Sequence, residues 1–142
     1  FKAKLLGSGG ENHGLVELLS TPNGVLLDAK LKGISEGSHG FHIHSVGKCE
    51  PPFKTAGGHF NSTNAEHGIP VSGGHAGDMP NIHVPSSGKL RVEILNTKVS
   101  LKKGTANDIS GVSIIIHAKD DDYQSQPSGA AGSRIACGVI TQ

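Results

Sequence analysis

Six histidines and one aspartate are spaced along the chain in a way that suits metal binding. His42 and His44 form an H-x-H pair in an apolar stretch, and residues two apart on a strand face the same side, so both rings can reach one ion. His117 ends another apolar run. Between them, a glycine-rich segment carries donors at intervals of 8, 8 and 3 positions: His59, His67, His75 and Asp78. Three imidazoles and a carboxylate form a suitable donor set for tetrahedral zinc.

Each motif alone has an ordinary explanation, because H-x-H pairs often decorate surfaces and a strand-end histidine is often held by a hydrogen bond. Taken together they are more specific. Seven donors fall one short of the eight positions that two four-coordinate ions require, and an imidazole that binds both ions through its two nitrogens supplies the missing one. His59 lies between the two groups in sequence and is the candidate bridge. A nitrogen-rich site suits Cu(II), and a mixed nitrogen and oxygen site suits Zn(II).

The elements that must position these residues are short strands. The 142 residues suffice for one domain, 1–142, and include 21 glycines and 7 prolines. Apolar or alternating runs bounded by glycine, proline, asparagine and serine predict strands, and we find no helical period. Eight strands with glycine-rich turns indicate an all-β, antiparallel barrel or sandwich. They are predicted at 2–6, 14–19, 25–32, 39–44, 81–84, 90–95, 112–117 and 134–140.

Two long segments interrupt this rhythm, at 46–80 and 118–133. Loops of that length in a compact domain are usually functional or disordered. The first contains Cys49 together with the four donors of the candidate zinc group, and these residues can hold the loop in place through a disulfide and an ion. We therefore expect an ordered, functional loop.

Charge and hydropathy narrow the choice of partners. The net charge of +1 gives no strong field for nucleic acid or an anionic membrane, and no apolar run approaches the ~20 residues that span a bilayer. The chain begins with Phe1, so we expect a processed form that has lost a targeting segment. The two cysteines, by their number alone, allow either one disulfide or two free thiols.

Several motifs resemble those of copper/zinc superoxide dismutases and occur in that family's order. The quoted segments are Gly40-Phe41-His42-Ile43-His44, Gly57-Gly58-His59-Phe60-Asn61, Glu66-His67-Gly68, His75-Ala76-Gly77-Asp78, Ile116-His117 and Gly132-Ser133-Arg134-Ile135-Ala136-Cys137-Gly138-Val139-Ile140. The resemblance extends over nearly the whole chain. It implies an eight-stranded Greek-key barrel or sandwich of the immunoglobulin-like kind, an architecture for which this family is a known example.

The resemblance also implies one copper and one zinc per chain, with His59 as the bridge. Asp121 stands where the family has an aspartate that links a copper histidine to a zinc histidine, although Asp120 and Asp122 are close enough to compete for the role. His39 is expected to bond the backbone near the copper strand. His13 and His83 are assigned to the surface. The implied copper ligands are His42, His44, His59 and His117, and the implied zinc ligands are His59, His67, His75 and Asp78.

The implied activity is dismutation of superoxide to dioxygen and hydrogen peroxide by a copper that cycles between two oxidation states. Fast rates and attraction of the anionic substrate are known properties of the family. Arg134 matches the family's active-site arginine. The loop before it is short, and Pro127 stands near the place where a lysine is expected. Lys54 and Lys119 are therefore candidates to supply the positive charge that this lysine would contribute near the active site.

Two further expectations come from the resemblance. Cys49 and Cys137 match the family's disulfide, which would tie the long loop to the last strand. The sequence around Lys48 and Asp78 resembles bacterial members, which are typically exported to the periplasm or secreted. The family includes monomers and dimers, so a homodimer is one of two expected states.

Two other functions could use these metal-binding residues, and both fit the sequence less well than an active enzyme does. A metal-binding or copper-delivery module on the same fold would generally lack a copper ligand or the arginine, and this chain retains His117 and Arg134. A zinc hydrolase needs an open position on the ion, and four protein ligands leave none.

Overall fold

The computed structural model describes residues 1–69 and 73–142, and within them it shows an all-β fold. The predicted loop at 46–80 therefore contains three residues, 70–72, that lie outside the described part. The predicted strands are found within one to two residues of their expected ends. The strands are β1 (Lys2–Gly7), β2 (Asn12–Thr21), β3 (Gly24–Leu31), β4 (Gly37–His39), β5 (Phe41–His44), β6 (Ile82–Val84), β7 (Leu90–Asn96), β8 (Ser113–His117) and β9 (Arg134–Val139).

One predicted strand, at 39–44, is two. It changes partners at Gly40: β4 pairs with β6, while β5 pairs with β8. A strand that passes from one sheet to another forms a corner of a barrel or orthogonal sandwich. A side chain at Gly40 would stand 3.0 Å from the Ala131 methyl and 3.1 Å from the His42 ring, so the corner is closely packed.

The main sheet is antiparallel, with the order β5-β8-β9-β1-β2-β3-β7. The chain leaves β3 and returns at β7, and leaves β5 and returns at β8, which are long connections of the Greek-key kind. Along β1, β2 and β3 the burial alternates, so alternate residues such as Leu5, Val16 and Leu27 fill the core. The period of two, together with short turns, explains why these strands were predicted well.

β8 differs, because all five of its residues are buried. Ile114 and Ile116 face the main core, whereas Ile115 belongs to a second apolar cluster with Phe53, Ala56 and Cys137. The first long loop covers this second face of the strand and contributes a short 3-10 turn, Lys54–Ala56. A disulfide between Cys49 and Cys137 fastens the loop to β9, as predicted. No helix in the described residues is both long and apolar enough to cross a membrane.

Candidate metal centre

The first group of donors lies where β5 meets the end of β8. His42 and His44 are fully buried on β5, and the antiparallel pairing of β5 with β8 brings His117 beside them. A backbone bridge between His44 and His59 brings the loop histidine to the same place. One ligand atom from each of these four residues lies within 4.8 Å of the others.

The second group lies in the first long loop, with Asp78 at its centre. His59 Nδ1 donates to Asp78 Oδ1 at 2.7 Å, and His75 Nδ1 lies 3.3 Å from the same oxygen. His67 Nδ1 lies 2.9 Å from Asp78 Oδ2 and has no hydrogen-bond partner among the described residues. Three imidazole nitrogens thus converge on one carboxylate, as the ligands of a shared ion would. All four ligand atoms lie within 4.8 Å of one another.

His59 belongs to both groups. Its Nδ1 faces Asp78, and its Nε2 is buried without a hydrogen-bond partner among the described residues, like His42 Nδ1 and His67 Nδ1. A buried polar atom without a partner costs roughly 1–3 kcal/mol. A metal ion on each side of the His59 ring would give all three nitrogens a partner. Imidazole nitrogen is a good ligand for both copper and zinc, so the residues fit the two ions.

In the first group, His44 and His117 each have their other ring nitrogen bonded to a protein partner. His44 Nδ1 donates to the carbonyl oxygen of Gly57 at 2.8 Å, and His117 Nδ1 lies 3.3 Å from that of Gly132. The Nε2 atoms of His44 and His117 then lie 3.4 Å apart, turned toward the centre of the group. These bonds select which nitrogen of each ring is left for the ion.

The Asp121 carboxylate links the two groups by accepting a hydrogen bond from one histidine of each. His42 Nε2 donates to Asp121 Oδ2 at 2.8 Å, and His67 Nε2 donates to Asp121 Oδ1 at 2.8 Å. Of the three consecutive aspartates, it is the one whose carboxylate contacts both rings, and it is 2% exposed. Asp122 instead accepts hydrogen bonds from Ser125 in its own turn.

Burial keeps the histidines in the form that binds metals. It lowers the pKa of His42 to about 4, of His44 to about 2 and of His117 to about 3, against an ordinary 6.5. Burial pushes the pKa of Asp121 upward, but hydrogen bonds from His42 and His67 lower it to about 2. The pKa of Asp78 is likewise lowered, by its bond with His59, in spite of burial. The rings of His42, His44 and His117 are therefore neutral and both carboxylates are ionised at neutral pH, as ligands must be.

Arg134 lies beside the first group of donors, where it pairs with His117 across β8 and β9. Its charge contributes to the lowered pKa values of His44 and His117, and its Nη1 donates to the carbonyl oxygen of Phe53 at 2.7 Å. Lys54 and Lys119 are exposed.

The histidines outside the two groups have other partners. His39 is buried, and its ring nitrogens lie 2.7 Å and 2.8 Å from the carbonyl oxygens of His117 and Ser35, which is the predicted backbone contact. His13 contacts the carbonyl oxygen of Lys32 at the surface, and His83 is exposed on β6. The carbonyl groups that hold the rings and Arg134 could not be predicted from the sequence, because a backbone oxygen has no side-chain signature.

Comparison with known proteins places this arrangement in context. Residues 12–140 match the family described as copper/zinc superoxide dismutase (SODC). The chain is 46% identical to superoxide dismutase [Cu-Zn] 1 of Aquifex aeolicus, over 97% of this chain and 85% of that protein. The crystal structure of a double mutant of a SOD-like protein from Bacillus subtilis superposes with a TM-score of 0.94 at 39% identity, covering 99% and 97% of the two chains. Cu/Zn superoxide dismutase from Brucella abortus gives a TM-score of 0.81 at 26% identity, covering 99% and 98%.

Proposed function

The chain belongs to the copper/zinc superoxide dismutase family, and we propose that its two donor groups, joined through His59, convert superoxide to dioxygen and hydrogen peroxide. In this assignment the ligands follow the two groups of donors. Copper would be held by His42, His44, His59 and His117, and zinc by His59, His67, His75 and Asp78.

The observation that carries the assignment is the position of the His59 ring. Its Nδ1 is engaged in the carboxylate-containing group, while its Nε2 is buried and unpaired among the described residues. Bound copper supplies the one-electron oxidation and reduction that the reaction needs, and bound zinc, which has no redox chemistry, holds the loop. Release of hydrogen peroxide takes up two protons, and His59 Nε2 is the atom at which we place one of them; the other comes from solvent.

Arg134 is assigned to capture of the substrate. Superoxide is a small anion, and a fixed guanidinium charge next to the copper group raises its local concentration. The carbonyl oxygen of Phe53 holds Nη1 of Arg134, so the guanidinium has a defined place beside the centre. Lys54 and Lys119, the candidates for additional positive charge, are both exposed and would extend the positive field.

The disulfide supports the location of this protein in an oxidising compartment. Cytosolic thiols are normally kept reduced, whereas Cys49 and Cys137 are bonded. Two relatives, from Haemonchus contortus and Caenorhabditis elegans, are named as extracellular superoxide dismutases. We propose that this protein is exported to the periplasm or to the outside of the cell.

The direct test combines metal analysis with superoxide consumption. Purified protein supplied with both metals should contain about one copper and one zinc per chain and should consume superoxide. His117→Ala should abolish the activity and retain zinc, because His117 belongs to the copper group alone. His83→Ala changes an exposed histidine outside both groups and should behave as the parent.

Two results would contradict the proposal. One is undiminished activity in His117→Ala, which would remove this residue from the copper site. The other is a parent protein that takes up zinc alone after copper supplementation, which would favour a metal-binding module on the same fold.

A further inference from the structure

Gln126, which is not one of the proposed metal ligands, makes two hydrogen bonds to the backbone of the proposed zinc ligand His67. The backbone N–H of His67 donates to Gln126 Oε1 at 2.9 Å, and Gln126 Nε2 donates to the carbonyl oxygen of His67 at 2.8 Å. One amide thus satisfies both backbone groups of a single residue, as a neighbouring strand would. Gln126 Nε2 also donates to the carbonyl oxygen of Gln124 at 3.1 Å, which ties the amide to its own loop.

A second amide makes the same pattern in the opposite direction. The backbone N–H of Asp121 donates to Asn81 Oδ1 at 2.8 Å, and Asn81 Nδ2 donates to the carbonyl oxygen of Asp121 at 2.9 Å. Asn81 follows the first long loop and binds the backbone of the second. Gln126 belongs to the second loop and binds the backbone of the first. The two gripped residues are themselves in contact, through His67 Nε2 and Asp121 Oδ1 at 2.8 Å. These hydrogen bonds, together with the backbone from Asp121 to Gln126, form a closed circuit.

The loops are packed too closely at this circuit for it to relax easily. A Cβ on Gly129 would stand 1.8 Å from Asp121 Oδ1 and 2.7 Å from His67 Nε2. A Cβ on Gly68 would stand 2.4 Å from the carbonyl oxygen of Tyr123. Since both glycines have positive φ, these close approaches are part of the loop conformation. A shift of either gripped backbone would therefore displace the His67 ring.

We propose that Gln126 and Asn81 are positioning residues that hold His67 and Asp121 in place and thereby set the affinity for zinc. The inference rests on the proposed zinc ligands. Groups that orient metal ligands typically contribute about 10–100-fold to affinity. Gln126 acts on the His67 backbone, so its effect falls on the zinc group first and reaches the copper group only through Asp121 and His42.

The test replaces the amide without removing its bulk. Gln126→Met keeps the length of the side chain and loses its hydrogen bonds, and Gln124→Met makes the same change two residues away, at an exposed side chain. Zinc dissociation constants would be measured by competition with a chromophoric chelator. The Gln126 variant should bind zinc about 10-fold more weakly, and the Gln124 variant should equal the parent. Asn81→Leu, which unpairs the Asp121 backbone, should also weaken zinc binding.

A spectroscopic readout separates positioning from general stability. Co²⁺ in place of zinc has visible absorption bands that report ligand geometry, and these bands should change in Gln126→Met and not in Gln124→Met. Unchanged zinc affinity and Co²⁺ spectrum in Gln126→Met would overturn the inference, even if the metal-free variant were less stable. A parent protein that binds no zinc would overturn the proposed function itself, and this inference with it.

Discussion

Four of the histidine rings at the centre have one nitrogen bonded to a protein partner outside the proposed ligand set. The Asp121 carboxylate holds His42 and His67, and backbone carbonyl oxygens hold His44 and His117. Such bonds fix the tautomer and leave the opposite nitrogen for the metal. The centre is therefore preorganised by its neighbours, and single residues outside the ligand set have measurable effects on it.

Arg134 is the single residue for which the expected effect is on rate. Arg134→Ala should lower the second-order rate constant for superoxide by about tenfold and weaken its dependence on ionic strength, because the guanidinium attracts the anion. Metal content should not change, since Arg134 donates to a backbone carbonyl and to no ligand ring. Pulse-generated superoxide at several salt concentrations measures both quantities.

The matched control is the other arginine of the chain. Arg91 lies on the outer sheet face, paired with Asp28 at 2.9 Å. Arg91→Ala should leave the rate and its salt dependence near those of the parent. Equal behaviour of the two variants would remove Arg134 from the steering role.

Sequence reasoning reached the donors because histidine and aspartate have a recognisable chemistry and spacing. It could not choose firmly among Asp120, Asp121 and Asp122, since the choice depends on which side chain turns inward. It also missed Asn81 and Gln126. Their amides act on backbone groups 40 and 59 residues away, and no local pattern marks such a contact.

At the scale of elements, the centre depends on the first long loop, which is attached to the sheet through β5 and through a disulfide. β5 leads into the loop, and the disulfide from Cys49 to Cys137 attaches it to β9 at a sequence separation of 88 residues. Phe53, between that disulfide and the 3-10 turn, supplies both a buried side chain and the oxygen that holds Arg134. The same loop segment therefore contributes both to the stability of the fold and to the position of Arg134.

Replacing both cysteines, as in Cys49→Ala with Cys137→Ala, should lower the free energy of unfolding by about 4–5 kcal/mol on the chain-entropy argument for a closed loop of this length. Urea unfolding of the metal-free proteins measures the loss. The rate constant for superoxide should also fall, because the loop no longer holds Phe53 and Arg134 firmly. Undiminished stability would mean that the other contacts of the loop, such as its packing against Ile115, hold it without the disulfide.

The strands themselves were predicted from alternation and turn residues, and the exception is instructive. The run from His39 to His44 has no turn signal strong enough to divide it, yet the chain changes sheets at Gly40. Local periodicity reports which residues are buried, whereas sheet membership depends on distant partners such as β6 and β8. The order of strands in the sheet is beyond local pattern for the same reason.

At the scale of the whole molecule, folding gathers six imidazoles and two carboxylates into one buried region between the sheet and the two loops. Taking these groups out of water has a cost that metal binding offsets. Ligands that bind only the folded state stabilise it in proportion to the logarithm of their concentration over the dissociation constant. The protein without metals should therefore be the less stable form, and its stability should depend on the protonation of the centre.

The sign of that dependence follows from the lowered pKa values of the buried rings. In the unfolded chain a histidine takes up a proton near pH 6.5, whereas burial lowers the pKa of His42 to about 4 and that of His117 to about 3. The unfolded state thus binds more protons below pH 6.5, so this contribution to stability is complete above that pH and is lost as the pH falls toward 4. Each such group changes the slope by at most about 1.4 kcal/mol per pH unit. The lowered pKa of Asp121 adds a loss of the same sign only below about pH 4.

Urea unfolding of the metal-free protein between pH 7.5 and pH 4.5, about the range over which an ordinary histidine titrates, should therefore show a continuous fall in the free energy of unfolding. His13→Ala removes a surface histidine and should leave the slope unchanged, whereas His42→Gln removes one of the buried titrating rings and should reduce it. A metal-free protein whose stability is flat across this range would show that its central rings are open to water or already charged. The preorganised centre described above would then exist only after the metals bind.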